Sequence, residues 1–131
     1  VERVTGRIGN GTARYEGCDE TGEAILVFKN GVVATLAAGW DDITDPQTFM
    51  VSGTQLHASV TYGKLRLTTL DGPYEGVVED ACESASAGFD AFLTVCTGGS
   101  AELVGVRESA YRNEVMQAVY DGAANNTWIL L

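Results

Sequence analysis

One histidine, two prolines and three widely separated cysteines leave this 131-residue sequence poor in the residues that build most catalytic and metal centres. Cys18, Cys82 and Cys96 form no C-x-x-C pair and are odd in number, so neither a disulfide framework nor a zinc site is expected. Free, mostly buried thiols in a reducing, cytoplasmic setting are the expectation instead. His57 has no G-x-S-x-G or cysteine nucleophile to serve, which removes serine and cysteine hydrolase chemistry. Basic residues are also scarce. Eight stand singly against 18 acidic ones, for a net charge of -10. Such a field repels phosphate backbones and anionic lipid, so nucleic acid and membrane surfaces are poor partners. The longest nearly unbroken apolar run, Val32 to Trp40, is about half of a membrane span. No charged-then-apolar leader opens the chain. It begins on Val and enters a strand-like stretch directly, which reads as a piece of a longer polypeptide.

What is present is globular: 45% of the residues are hydrophobic and 20% charged, and the 16 glycines suggest many turns. Ala24 to Phe28 and Val32 to Ala38 flank Lys29-Asn30-Gly31, and Asn-Gly between two such runs predicts a hairpin with a type I′ turn. A first strand is expected over Glu2 to Ile8, joined to the hairpin by a polar connection, Gly9 to Gly22. Beyond the loop of Asp41, Asp42, Asp45 and Pro46, a strand is expected at Gln47 to Ser52. Leu56, Ala58, Val60 and Tyr62 then alternate with polar residues, and Leu65 and Leu67 continue that period of two in a sixth strand.

From Ser84 the period changes. Phe89, Phe92, Leu93 and Cys96 fit one helix face as far as Thr97, and Gly98-Gly99 ends it. Tyr111, Val115, Ala118, Val119 and Gly122 mark a second helix from Val106 to Ala124. Thr127 to Leu131 reads as a closing strand. The fold class is therefore α+β: an open, mostly antiparallel sheet of about six strands, with two C-terminal helices on one face and a short closing strand. Strands two and three are apolar at consecutive positions, so both of their faces call for cover. Two helices cover one face, and a homo-oligomer through the other is expected.

These features, in this order, resemble the C-terminal domain of the glucose-fructose oxidoreductase / inositol dehydrogenase (Gfo/Idh/MocA) family. The resemblance is carried by the hairpin Glu23 to Trp40, the strand and turn Phe49 to Leu56, the stretch Phe89-Asp90-Ala91-Phe92-Leu93, the helix Ala110 to Tyr120 and the ending Thr127-Trp128-Ile129-Leu130. It departs from the family at Leu56-His57, where a glycine is usual, and at Gly98-Gly99-Ser100, which lacks a proline-containing link. The resemblance implies a parent protein that transfers hydride between NAD or NADP and a sugar, polyol or related small molecule. It implies that residues 1–131 are one substrate and oligomerisation domain, and that an N-terminal dinucleotide-binding domain of the Rossmann type lies outside them.

No G-x-G-x-x-G follows a strand in this sequence, and the family's Glu-Lys-Pro and Asp-x-x-x-His stretches are absent. The resemblance thus leaves the chain no catalytic, cofactor-binding or metal-binding residue of its own. By the same resemblance Trp40, Asp42 and Gln47 are the candidates for substrate hydroxyl recognition. His57 is expected to be a surface or interface residue. Two rival readings are a stand-alone dimerising or ligand-binding module that lost the catalytic half, and a cation-binding protein using the oxygens of Asp41, Asp42 and Asp45. The acidic patch Glu79, Asp80 and Glu83 reads as wet surface.

Overall fold

The computed structural model describes residues 1–40, 42–44, 47–62, 64–74 and 88–131. The chain divides into two compact units, Val1–Asp42 with Ala91–Leu131, and Ile43–Asp90. Among the described residues the α+β expectation is met by two antiparallel four-stranded sheets and two helices.

In the first unit β1 (Arg3–Gly9), β2 (Thr21–Val27), β3 (Val33–Gly39) and β8 (Ile129–Leu130) form a sheet in the order β3-β2-β1-β8. The register sets Gly6 opposite Ala24, and Ala24 opposite Leu36. Val4, Ala24 and Leu26 therefore face one way, and they make the core with Val115, Ala118 and Val119 of α2 (Val106–Asn125). β2 starts three residues earlier than expected. Gly22 and Glu23 are weak strand formers, yet with Thr21 they pair with Ile8, Arg7 and Gly9, and that ladder overrides local preference.

The β2–β3 hairpin stands where Asn-Gly placed it, but its turn differs. Gly31 alone takes a positive φ, 86°, while Asn30 does not. The Gly31 N–H donates to Phe28 O at 2.9 Å, and the Phe28 N–H donates to Val32 O at 2.8 Å. This is a three-residue loop closed by a glycine bulge, in place of a type I′ turn.

α2 meets the sheet on glycines. A Cβ on Gly6 would lie 2.5 Å from Val119 Cγ1, and one on Gly122 would lie 3.3 Å from Thr5 Cα. The helix is thereby pressed onto β1. It ends as Asn126 turns left-handed, at φ 51°, and the Asn126 and Thr127 amides both cap Gly122 O.

The second unit holds β4 (Thr48–Ser52), β5 (Leu56–Thr61), β6 (Lys64–Thr69) and β7 (Gly72–Pro73), in chain order. The register joins Phe49, Val60 and Leu65 in one row and Val51, Ala58 and Leu67 in the next, which gives the single apolar face that period-two reading predicts. The six strands and closing strand expected in one sheet are found, among the described residues, as eight strands in two sheets: β8 is the closing strand, paired with β1, and the two-residue β7, paired with β6, is the addition.

Two expectations are corrected. α1 (Phe89–Cys96) covers Ala91, not the aromatic stripe: Phe89, Phe92, Leu93 and Cys96 are all exposed. Cys18 and Cys96 are free but exposed, since one sits in a surface loop and the other in the outer face of the last turn of α1. Cys82 and residues 84–87, where this helix was expected to begin, lie outside the described residues, as do Glu79, Asp80 and Glu83.

Candidate functional site

The connection between β1 and β2 is organised by a group that looks unremarkable in the sequence. Glu20 is 1% exposed. Its carboxylate accepts from the Thr12 hydroxyl, from the Thr12 amide at 2.5 Å and from the Arg14 amide at 3.1 Å. Ala13 between them is left-handed, at φ 50°, and that alternation turns successive N–H groups into a concave anion cradle. The Thr12 hydroxyl, then the amides of Thr12, Arg14 and Ala13, hold the Glu20 carboxyl below the usual glutamate range, against the opposing pull of burial. The loop is cross-tied by Asn10, whose Nδ2 donates to Cys18 O at 2.8 Å.

Glu20 and its neighbour also fix Trp40, which follows β3. The Trp40 amide donates to Glu20 O at 3.1 Å, and its indole Nε1 donates to Asp19 O at 2.7 Å. The Tyr15 ring lies 5.7 Å from the indole, centroid to centroid, tilted by 35°. From the helix side, the Tyr120 hydroxyl donates to Asp19 Oδ2 at 3.0 Å. That hydrogen bond, the negative charge of Asp19 and partial desolvation raise the Tyr120 pKa above that of an ordinary tyrosine.

These groups stand at the mouth of a cleft of about 370 Å³ in the first unit. Leu26, Leu36 and Ala38 line it from the strands and Val115, Met116 and Val119 from α2. The cleft exists because α2 is drawn onto β1 by Gly6 and Gly122, and the same face of β3 is left bare: Leu36 is 53% exposed. The walls of this cleft are mostly apolar, with Asp19, Glu20 and Tyr120 among the few polar groups that line it.

Of the three residues singled out in the sequence, Trp40 lines this mouth. Asp42 is exposed and stands outside the lining, and Gln47 belongs to the second unit, just before β4. Asp19, Glu20 and Tyr120 were missed. An acidic residue in a glycine-containing polar connection has the signature of solvated surface, and only the folded loop shows otherwise. His57 faces Ser52 across β4 and β5, and its Nδ1 shares a hydrogen bond of 2.7 Å with Ser52 Oγ. Among the described residues no group of three His, Cys, Asp or Glu could hold a metal ion. Asp41 and Asp45 of the aspartate loop lie outside those residues. No described helix is long and apolar enough to cross a membrane.

No protein-family model matches the sequence, and no curated protein matches it. Solved structures do. A protein of Thermotoga maritima assigned as an oxidoreductase shares 19% identity at a TM-score of 0.76, over 99% of this chain and 40% of its own. An oxidoreductase from Agrobacterium radiobacter, solved with NAD+, L-tartaric acid and magnesium, shares 16% identity at 0.72, over 99% of this chain and 43% of its own. The aldose-aldose oxidoreductase of Caulobacter crescentus, complexed with glycerol, shares 16% at 0.70, over 99% and 41%. At these identities the likeness is one of fold. The chain spans about two-fifths of the length of the structures it matches.

Proposed function

We propose that residues 1–131 are the C-terminal, sheet-bearing domain of a nicotinamide-dependent oxidoreductase of the Gfo/Idh/MocA type, acting on a sugar, polyol or related small molecule. The observation that carries this reading is the coverage: nearly all of the chain overlays on oxidoreductases, and more than half of each of those proteins lies beyond the overlay. The Agrobacterium protein was solved with NAD+ and the Caulobacter protein acts between aldoses, which favours a nicotinamide cofactor and a polyhydroxylated substrate. Hydride chemistry belongs, in this reading, to a Rossmann-type domain outside these residues. The chain supplies part of the substrate wall, with Trp40, Asp42 and Gln47 as its contributors, and is inactive alone.

The same reading assigns the open face of the first sheet to a homo-oligomer. Opposite the α2 side, Ile25, Val27, Val33 and Ala37 form a patch flanked by Arg3, Arg7 and Glu23, and Val33 is 61% exposed. An apolar sheet face of this kind is costly to leave in water. The protein is assigned to the cytoplasm.

The test is a titration with NADH and NADPH, followed by nicotinamide fluorescence. A version carrying the upstream coding sequence is expected to bind one of them, and the 131-residue chain to bind neither. Tight binding by the short chain, or none by the long one, would overturn the assignment.

A further inference from the structure

We propose that Glu20 is a positioning residue for Trp40, and that Trp40 recognises a ring-shaped polyhydroxylated ligand by stacking alone, with no hydrogen bond from its indole. The inference rests on the reading of Trp40 as substrate wall and deepens it. Tryptophan has one side-chain donor and no acceptor. Here that donor is engaged by Asp19 O at 2.7 Å, well within full hydrogen-bond distance. Tyr15 stands against part of the ring system. Trp40 is nevertheless 49% exposed, so what it offers a ligand is aromatic surface. The negative face of an aromatic ring attracts the partly positive C–H face of a sugar or cyclic polyol ring, and such contact needs a fixed plane.

The plane is fixed from Glu20. Its carboxylate folds Thr12, Ala13 and Arg14 around itself, and its own carbonyl accepts the Trp40 amide. Asp19, the adjacent residue, thereby aims its carbonyl at Nε1 while its carboxylate is tied to Tyr120 on α2. Removing one acceptor from Glu20 leaves a part-buried donor unpaired, which opens the loop before it disturbs the sheet.

Two measurements test this. In a Trp128→Phe background, so that Trp40 is the only indole, Glu20→Gln is expected to speed exchange of the indole N–H by about tenfold or more, with the far-ultraviolet circular dichroism unchanged. Thr12→Val, which removes only the hydroxyl, serves if Glu20→Gln fails to fold. Unchanged exchange would overturn the positioning role. In the longer protein, with D-glucose as the probe substrate, Trp40→Phe keeps an aromatic ring and is expected to hold KM within about twofold, whereas Trp40→Leu raises it about three- to tenfold with kcat little changed. Equal losses for Phe and Leu would show that an aromatic face is not what the ligand reads and overturn stacking. No change in either removes Trp40 from the pocket and overturns the ligand half. If the longer protein binds nicotinamide nucleotide but leaves D-glucose untouched, the ligand half fails while the oxidoreductase reading stands.

Discussion

Gly6 of β1 and Gly122 of α2 sit face to face, and a Cβ built on Gly122 would come within 3.6 Å of the Gly6 nitrogen. This contact seats the helix and so shapes the cleft beside it. A side chain at position 6 would meet Val119 Cγ1 at 2.5 Å and the Glu23 carbonyl at 2.8 Å, one of them backbone that cannot yield. Gly6→Val is expected to cost about 2–3 kcal/mol through overpacking. Thermal unfolding should register this as a midpoint drop of about 10 °C. An unchanged midpoint would mean that the helix is not held by this crossing.

The hairpin turn gives a smaller effect. Gly31, at φ 86°, is where the loop needs a left-handed residue, and nothing crowds a Cβ there. Gly31→Ala should cost about 1–2 kcal/mol from backbone conformation alone. Asn30→Ala should cost less, because Asn30 contributes only its Oδ1, 3.2 Å from the Val32 amide. If Asn30 proved the more sensitive, the turn would be the type I′ form after all. Chemical denaturation midpoints of the two variants separate the cases.

These comparisons mark what local sequence carries. The stripe Tyr111, Val115, Ala118, Val119 and Gly122 on α2 was readable because a period near 3.6 follows from helix geometry; the last four are buried, and Tyr111, in the second turn, is exposed. Asn-Gly located the hairpin but left its loop length open, since both turn forms accept that pair. The start of β2 depends on pairing across a long connection, which no local preference encodes. Trp40 could be singled out as a candidate through the family resemblance of the hairpin it closes, not from its own pattern. Glu20 could not, because a carboxylate cradled by three amides and a carboxylate in water are the same letter in a polar loop.

Acid should loosen that loop first. The Glu20 carboxyl titrates below its ordinary value of 4.5, so the folded state holds its charged form more tightly than the unfolded chain does. The stabilisation is complete above the unfolded value and declines as the pH falls through 4.5 toward the folded pKa. Hydrogen exchange of the Thr12 and Arg14 amides, followed downward from pH 7, should show protection lost with a midpoint below pH 4.5. In Glu20→Gln the same amides should show little pH dependence of protection once the intrinsic exchange rate is divided out. Protection in the unmodified protein that is lost with a midpoint at or above pH 4.5 would contradict the cradle.

The open face of the first sheet makes a prediction about assembly. Ile25 and Val33 lie in adjacent rows of that face, on neighbouring strands, away from α2. Placing aspartate at both leaves the core of Val4, Leu26 and Val119 untouched. Light scattering coupled to size exclusion is expected to show an oligomer for the unmodified chain and monomer for Ile25→Asp/Val33→Asp. A monomer in both cases, at micromolar concentration, would remove the interface.

Asp19 joins the loop to the helix through Tyr120, and that link has a signature at high pH. The Tyr120 hydroxyl donates to Asp19 Oδ2, and ionising it would place two negative charges side by side, which is why its pKa is raised. A group whose folded pKa lies above its unfolded value stabilises the fold below the unfolded value and loses that contribution as pH rises through the folded one. Near pH 10, Tyr120 should therefore be less ionised than an ordinary tyrosine, which is half ionised there. Asp19→Asn keeps a side-chain acceptor for the hydroxyl but removes the charge, so the Tyr120 titration should move down toward the ordinary value, as read by carbon-13 shifts of labelled tyrosine. The Trp40 indole bond goes to the Asp19 backbone carbonyl, not its side chain, and its exchange rate should stay unchanged in the same variant. A titration of Tyr120 indifferent to Asp19→Asn would mean that the two do not meet. Loss of indole protection together with the shift would mean that the side chain, and not the Glu20 loop, sets the position of Trp40.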